Sequence, residues 1–351
     1  MTETAPAAAE RAHGVWFWVF RAVLLLAAGV SLYLLAPGLI AVFSSWPQLK
    51  TLQPAWFAAA VGFEALSYVA LWELQRIALR TPSWFAVGTA QLAGAAMGSL
   101  IPGGGAASGA FSYRMLVRAG IEPGAVAAGM TASVLATTTA VFALPVLAVP
   151  ALIGGVAAPD GLLQTAYIGA VAFVLIAAVG AAALVWNRPL HLVGRAGRWI
   201  LSHTRKRDGA ADLPERLLAR RNAVRSAFGA RWHFALAAAV GKWGFDYLAL
   251  VCCLAALGSR PDPSLVLLAY AAASLLGLIP VTPGGLGFVE AGLTGTLVLA
   301  GVGAQEAVVA TLAYRIVSFW LPLPAGAVAY LLHRHRYGAT DETPASTTSP
   351  P

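Results

Sequence analysis

Six charged residues stand inside otherwise apolar stretches of this 351-residue chain: Glu64, Arg114, Lys242, Asp246, Glu290 and Arg315. A charge at membrane depth costs about 2.5–3.5 kcal/mol on insertion scales, so such groups pair or line a polar cavity. Lys242 and Asp246 are four residues apart and can pair on one helix face; the pair is either a structural clip or part of a site. Glu290 follows a Pro/Gly-rich break and Arg315 lies in the next apolar run. An arginine suits a phosphate because its planar fork donates two parallel hydrogen bonds. A salt bridge docking one segment on another is the competing role for that pair. Glu64, near the middle of its run, is a proton or cation site or a helix-packing partner, and Arg114 meets a headgroup phosphate or sits at the interface.

The elements that position these groups repeat. Leu100-Ile101-Pro102-Gly103-Gly104-Gly105 has a counterpart in Leu278-Ile279-Pro280-Val281-Thr282-Pro283-Gly284-Gly285. Each is followed by a short apolar stretch, then by Ala-Gly-aliphatic (Ala119-Gly120-Ile121 and Ala300-Gly301-Val302), then by a long apolar run with a proline near its far end, Pro145 or Pro322. Clustered Pro and Gly break helices. Non-helical backbone at membrane depth is tolerated where it faces protein or a water-filled cavity, and a matched pair of breaks points to a transport-type site. The breaks also offer free backbone N–H groups and positive helix ends, which favour anions. Pro102, Gly103, Gly104, Gly105, Gly284, Gly285 and Gly287 are therefore candidate substrate contacts. Gly103–Gly105 lacks the Lys-Ser/Thr of a nucleotide loop.

With 59% hydrophobic and 11% charged residues and a mean hydropathy of +0.73, the chain reads as an all-α polytopic membrane protein. Six full spans are predicted, at about 15–35, 55–79, 124–150, 162–186, 232–257 and 305–332, with two broken hairpins at about 82–120 and 263–302. The hairpin legs are read as re-entrant, although runs of this length can also cross fully. Residues 1–14 and 336–351 are polar and expected to be disordered, flanking one membrane domain at 15–335. Eleven of the 23 Lys and Arg residues lie between Arg188 and Arg231. Flanked by spans, that segment fits a cytoplasmic loop better than a nucleic-acid site. The same bias places both termini in the cytoplasm and gives units 55–150 and 232–332 opposite orientations, an inverted-topology repeat. Adjacent Cys252 and Cys253 form no disulfide framework, and the six histidines make no metal or catalytic motif. No enzyme activity and no cofactor are expected.

Pro283-Gly284-Gly285-Leu286-Gly287-Phe288-Val289-Glu290-Ala291, followed by Tyr314-Arg315-Ile316-Val317-Ser318-Phe319-Trp320-Leu321-Pro322, resembles the lysylphosphatidylglycerol synthase transmembrane family of flippase-like integral membrane proteins. The resemblance spans roughly residues 15–335. It implies movement of a phospholipid or polyprenyl-linked anionic lipid between leaflets of the bacterial cytoplasmic membrane, with Tyr314 joining the candidate contacts. The polar tail from about 338 implies that the soluble aminoacyl-transferase domain of bifunctional relatives is absent. Relatives carry an acid near the first break; here the residues are Gly103 to Ser108. The rival reading is a non-transporting scaffold or regulator for a separate synthase or glycosyltransferase, with a homo-oligomer as a further option.

Overall fold

The computed structural model describes residues 52–101, 104–153, 227–278 and 282–338, plus isolated positions between 163 and 178. Predicted span 15–35, most of predicted span 162–186, most of the basic loop, residues 1–14 and 339–351, and Pro102, Gly103 and Pro280 lie outside the described residues, while Arg336 and Tyr337, expected in the disordered tail, continue the last helix. The described residues form helices joined by short turns: α1 Pro54–Ala78, α2 Trp84–Leu100, α3 Gly105–Arg118, α4 Pro123–Ile153, α5 Trp232–Ala256, α6 Pro263–Gly277, α7 Phe288–Leu299, α8 Ala304–Arg315 and α9 Pro322–Tyr337. A π-helical turn, Ile316–Trp320, joins α8 to α9, closed by the Leu321 N–H donating to Ile316 O at 2.8 Å.

Among the described residues, four helices are long and apolar enough to cross a membrane: Pro54–Ala78, Pro123–Ala148, Gly229–Ala256 and the α8–α9 unit Ala304–Tyr337. These coincide with four of the six predicted spans. The 25 residues of α1 extend roughly 37 Å at about 1.5 Å per residue, beyond the ~30 Å hydrocarbon core. The hairpin legs are shorter, with 17 residues in α2, 14 in α3, 15 in α6 and 12 in α7. Large apolar side chains face outward, as a lipid-facing surface requires: Val134, Leu147, Trp232 and Leu331 are each 61% exposed. Trp56, Trp84 and Trp232 stand exposed in the first turns of α1, α2 and α5, as an interfacial belt would have them.

The helix ends explain the repeated Ala-Gly-aliphatic motif. At Gly120 (φ 85°) the Ile121 N–H reaches Leu116 O at 3.3 Å, and at Gly301 (φ 90°) the Val302 N–H reaches Leu297 O at 3.0 Å. Each is a left-handed C-terminal cap whose following aliphatic residue covers the last turn. α1 and α5 end the same way, at Arg80 (φ 53°) and Gly258 (φ 77°), with Thr81 N–H to Arg76 O and Ser259 N–H to Leu254 O, both 3.2 Å. The starts are capped too. Ser83 accepts from Ala86 N–H at 3.2 Å, Asp262 from Ser264 N–H at 2.8 Å, and Glu122 from the N–H groups of Gly124 and Ala125 at 2.8 and 2.6 Å.

Both hairpins close on small residues. A Cβ at Gly98 would lie 2.9 Å from Gly104 O, and Ser112 Oγ donates across the hairpin to Ala90 O at 3.0 Å. In the second hairpin a Cβ at Gly292 would lie 2.8 Å from Leu276 Cδ1, and Thr296 Oγ1 donates to Ala269 O at 3.2 Å. Small faces let apolar helices approach where no water drives them together. α1 and α5 run antiparallel at the centre, with Gln53 N–H donating to Ala256 O at 3.0 Å and Ser67 Oγ to Lys242 O at 2.9 Å. α2 packs along α9 and α6 along α4. A Cβ on Gly326 of α9 would sit 2.5 Å from Leu92 O of α2. His333 ties the same helices, its Nδ1 2.7 Å from Thr89 Oγ1 and its Nε2 3.0 Å from Met115 O of α3.

Candidate functional site

The second break is built from glycines that only glycine backbone geometry allows. Gly284, Gly285 and Gly287 have φ of 57°, 70° and 77°. A Cβ on Gly284 would run into the Phe319 ring, and one on Gly285 would lie 2.5 Å from Val289 Cγ2. The turn is closed by Gly285 N–H to Thr282 O at 3.1 Å and by Thr282 Oγ1 to Leu286 O at 2.9 Å. α7 restarts at Phe288 and carries Glu290 in its first turn, where a carboxylate suits the positive helix end.

Arg315, at the last position of α8 before the π turn, is held from three sides. Its Nε donates to Glu290 Oε1 at 2.7 Å, its Nη2 donates to Gly284 O at 3.0 Å, and its guanidinium carbon lies 4.3 Å from the centre of the Phe319 ring. The side chains of Arg315 and Glu290 are 9% and 20% exposed. Glu290 Oε2 is buried without a hydrogen-bond partner among the described residues. π turns inside α-helices frequently mark functional positions; this one precedes Pro322 and Pro324, which have no N–H to give the helix ladder.

A second polar cluster stands one residue away. Tyr314 Oη donates to Asp246 Oδ1 at 2.6 Å and Lys242 Nζ to Asp246 Oδ2 at 2.9 Å. Glu64, 7% exposed, comes from the α1 stripe Ala60–Glu64–Ser67–Leu74 that faces α5 and lies beside Asp246. Tyr270 of α6 is 1% exposed, packs against the rings of Trp243, Tyr247 and Tyr314, and brings its hydroxyl beside Asp246.

A cavity of about 230 Å³ joins the clusters. Asp246, Tyr270, Ser274, Gly284, Tyr314 and Arg315 supply its polar wall, and Trp243, Val289 and Leu293 its apolar one. That is room for a phosphate-sized group or for several waters of ~30 Å³ each. Of the sequence candidates, Gly284, Tyr314, Arg315 and Asp246 line it, and Glu290 reaches it through Arg315. Gly285 and Gly287 shape the turn behind it. Gly104 and Gly105 belong to the first break, which brings no charge to this cavity, and Arg114 is exposed on α3 away from it. Sequence reasoning passed over Tyr270 and Ser67, polar groups in apolar helices whose helix-facing positions were the available signal. A larger cavity of about 680 Å³, at the α1–α2 turn and the start of α5, is lined by Arg76, Arg80 and Arg231. No group of three or more metal-ligating side chains occurs among the described residues.

Long apolar helices, helix hairpins broken by glycine and a buried polar centre define a multi-pass integral membrane protein. The chain belongs to the family of the lysylphosphatidylglycerol synthase TM region, whose model matches residues 10–326. Among curated proteins it is 32% identical over 94 residues to a UPF0104 membrane protein of Methanothermobacter thermautotrophicus, covering 27% of each chain. It is 34% identical over 92 residues to a UPF0104 membrane protein of Pyrococcus horikoshii, covering 26% of this chain and 28% of that one. The matched segments thus span about a quarter of these curated relatives' length, and neither name states an enzymatic activity.

Proposed function

We propose that the protein carries the headgroup of an anionic phospholipid or polyprenyl-linked lipid across the cytoplasmic membrane, with both termini in the cytoplasm and the tails left in lipid. The observation that carries this reading is Arg315. It is a buried guanidinium at the wall of a cavity, beside a helix break, with its side-chain donors only partly engaged. A phosphate entering the cavity competes with Glu290 for those donors. Lysine keeps the charge but lacks the planar fork.

Alternating access follows from reading 55–150 and 232–332 as an inverted repeat with re-entrant hairpins. The paired caps, the two hydroxyl clasps Ser112–Ala90 and Thr296–Ala269, and the antiparallel α1–α5 axis support it. So does α2, which packs against the Pro283–Gly285 turn and brings the first hairpin to the second break.

The test uses protein reconstituted into vesicles containing fluorescently labelled phosphatidylglycerol, with an impermeant quencher added outside. Quenching should pass the outer-leaflet fraction only when protein is present. Arg315→Lys should slow it about tenfold, equivalent to ~1.4 kcal/mol at the transition state, while thermal stability changes little. Wild-type transport by the double variant Arg315→Leu/Glu290→Gln would make the pair structural and overturn the assignment.

A further inference from the structure

Among the described residues, charge counting at the two buried clusters leaves one group over. Arg315 and Glu290 cancel, and Lys242 and Asp246 cancel. Glu64 remains, 7% exposed, with Oε2 lacking any hydrogen-bond partner among the described residues. One ammonium thus faces two carboxylates. A buried charge without a counter-charge is costly enough that the group changes protonation state instead, and two carboxylates sharing a site do not both ionise readily.

Among the described residues no second cation faces it. The described titratable groups facing Glu64 are Tyr68 on its own helix, Lys242, Asp246 and Cys253 on α5, and Tyr314 on α8, while Tyr270 on α6 faces Asp246. α4 and the π turn, which also pack on α1, contain no titratable residue.

We propose that Glu64 and Asp246 form a proton-binding site, holding one exchangeable proton between them at neutral pH. A proton from water adds to Glu64 Oε2, which then donates its new O–H to Asp246. Asp246 keeps the hydrogen bonds from Lys242 and Tyr314, and the cluster becomes neutral. Asp246 also lines the cavity that Arg315 borders, so the proton has an exit to the same space. Tyr314 and Arg315 are consecutive, which links the proton to the anion-binding side by one peptide unit. The site is an ion-coupling centre that stands whether or not the transported molecule is a lipid.

Infrared difference spectroscopy on the protein in vesicles tests this without any transport measurement. At neutral pH the wild type should show the C=O stretch of a protonated carboxyl, and the band should shift when water is replaced by D2O. The band should be lost in Glu64→Gln. It should also be lost in Asp246→Asn, where Lys242 alone balances the remaining carboxylate. It should persist in Glu290→Gln. A band unaffected by Glu64→Gln and Asp246→Asn, or one that does not shift in D2O, overturns the proposal. So does an absent band together with a thermal stabilisation by sodium over choline that disappears in Glu64→Gln, which would assign an alkali cation instead.

Discussion

Arg315 makes its three contacts with three different kinds of partner, a carboxylate, a carbonyl and an aromatic face. Removing one member of the ion pair leaves the other charge in a poor solvent. Arg315→Leu alone should therefore destabilise the fold by about 3 kcal/mol, and adding Glu290→Gln should recover most of it. Thermal denaturation in detergent, run as a double-mutant cycle, reads both numbers. Tyr314→Phe removes a 2.6 Å hydrogen bond to a buried carboxylate and should cost about 1.5–3 kcal/mol by the same assay. The pairing of Glu290 with Arg315 was legible in the sequence because the second hairpin offers that arginine no other acid. The convergence of Tyr314 and Tyr270 on Asp246 was not, because spacing along α5 says nothing about which distant helix supplies a hydroxyl.

The helices themselves were legible where local chemistry sets their limits. Pro54, Pro123 and Pro263 open helices, and Gly120, Gly258 and Gly301 close them. Ala-Gly-aliphatic is a repeat in sequence and a cap in structure. Gly120 and Gly301 both have open space where a Cβ would go. Gly120→Ala and Gly301→Ala should therefore each cost only the left-handed backbone penalty, about 1–2 kcal/mol, read as a lower unfolding temperature. Glu122 gives the start of α4 a pH dependence. Two backbone N–H groups hold its carboxyl below the usual carboxylate range. The stabilisation is complete above that range and is lost as pH falls through the lowered value. Glu122→Gln should remove this contribution to acid sensitivity, measured by circular dichroism against pH. The π turn at Ile316–Trp320 escaped sequence reasoning, which treats 305–332 as one uniform span. Hydropathy does not register an extra residue in a helix ladder.

At the scale of the molecule, the antiparallel register of α1 and α5 puts the 79–83 turn and the 257–262 turn at opposite ends. With the protein oriented in sealed vesicles, an impermeant thiol reagent should label Thr81→Cys and Ser259→Cys from opposite sides. Labelling of both from one side would remove the basis for opposed halves. The two hairpins share caps, clasps and small-residue faces, yet they differ at their tips. The first break joins α2 to α3 through residues 101–104, whereas the second takes residues 278–287 between α6 and α7 and carries the Arg315–Glu290 contact. Two superimposable halves would give inward-open and outward-open forms of equal energy, populated one to one. Unequal tips lift that degeneracy, and a gap of only ~1.4 kcal/mol makes one form tenfold more common. In the alternating-access cycle proposed above, the molecule would therefore have a resting side, set by its own sequence before any substrate or gradient acts on it.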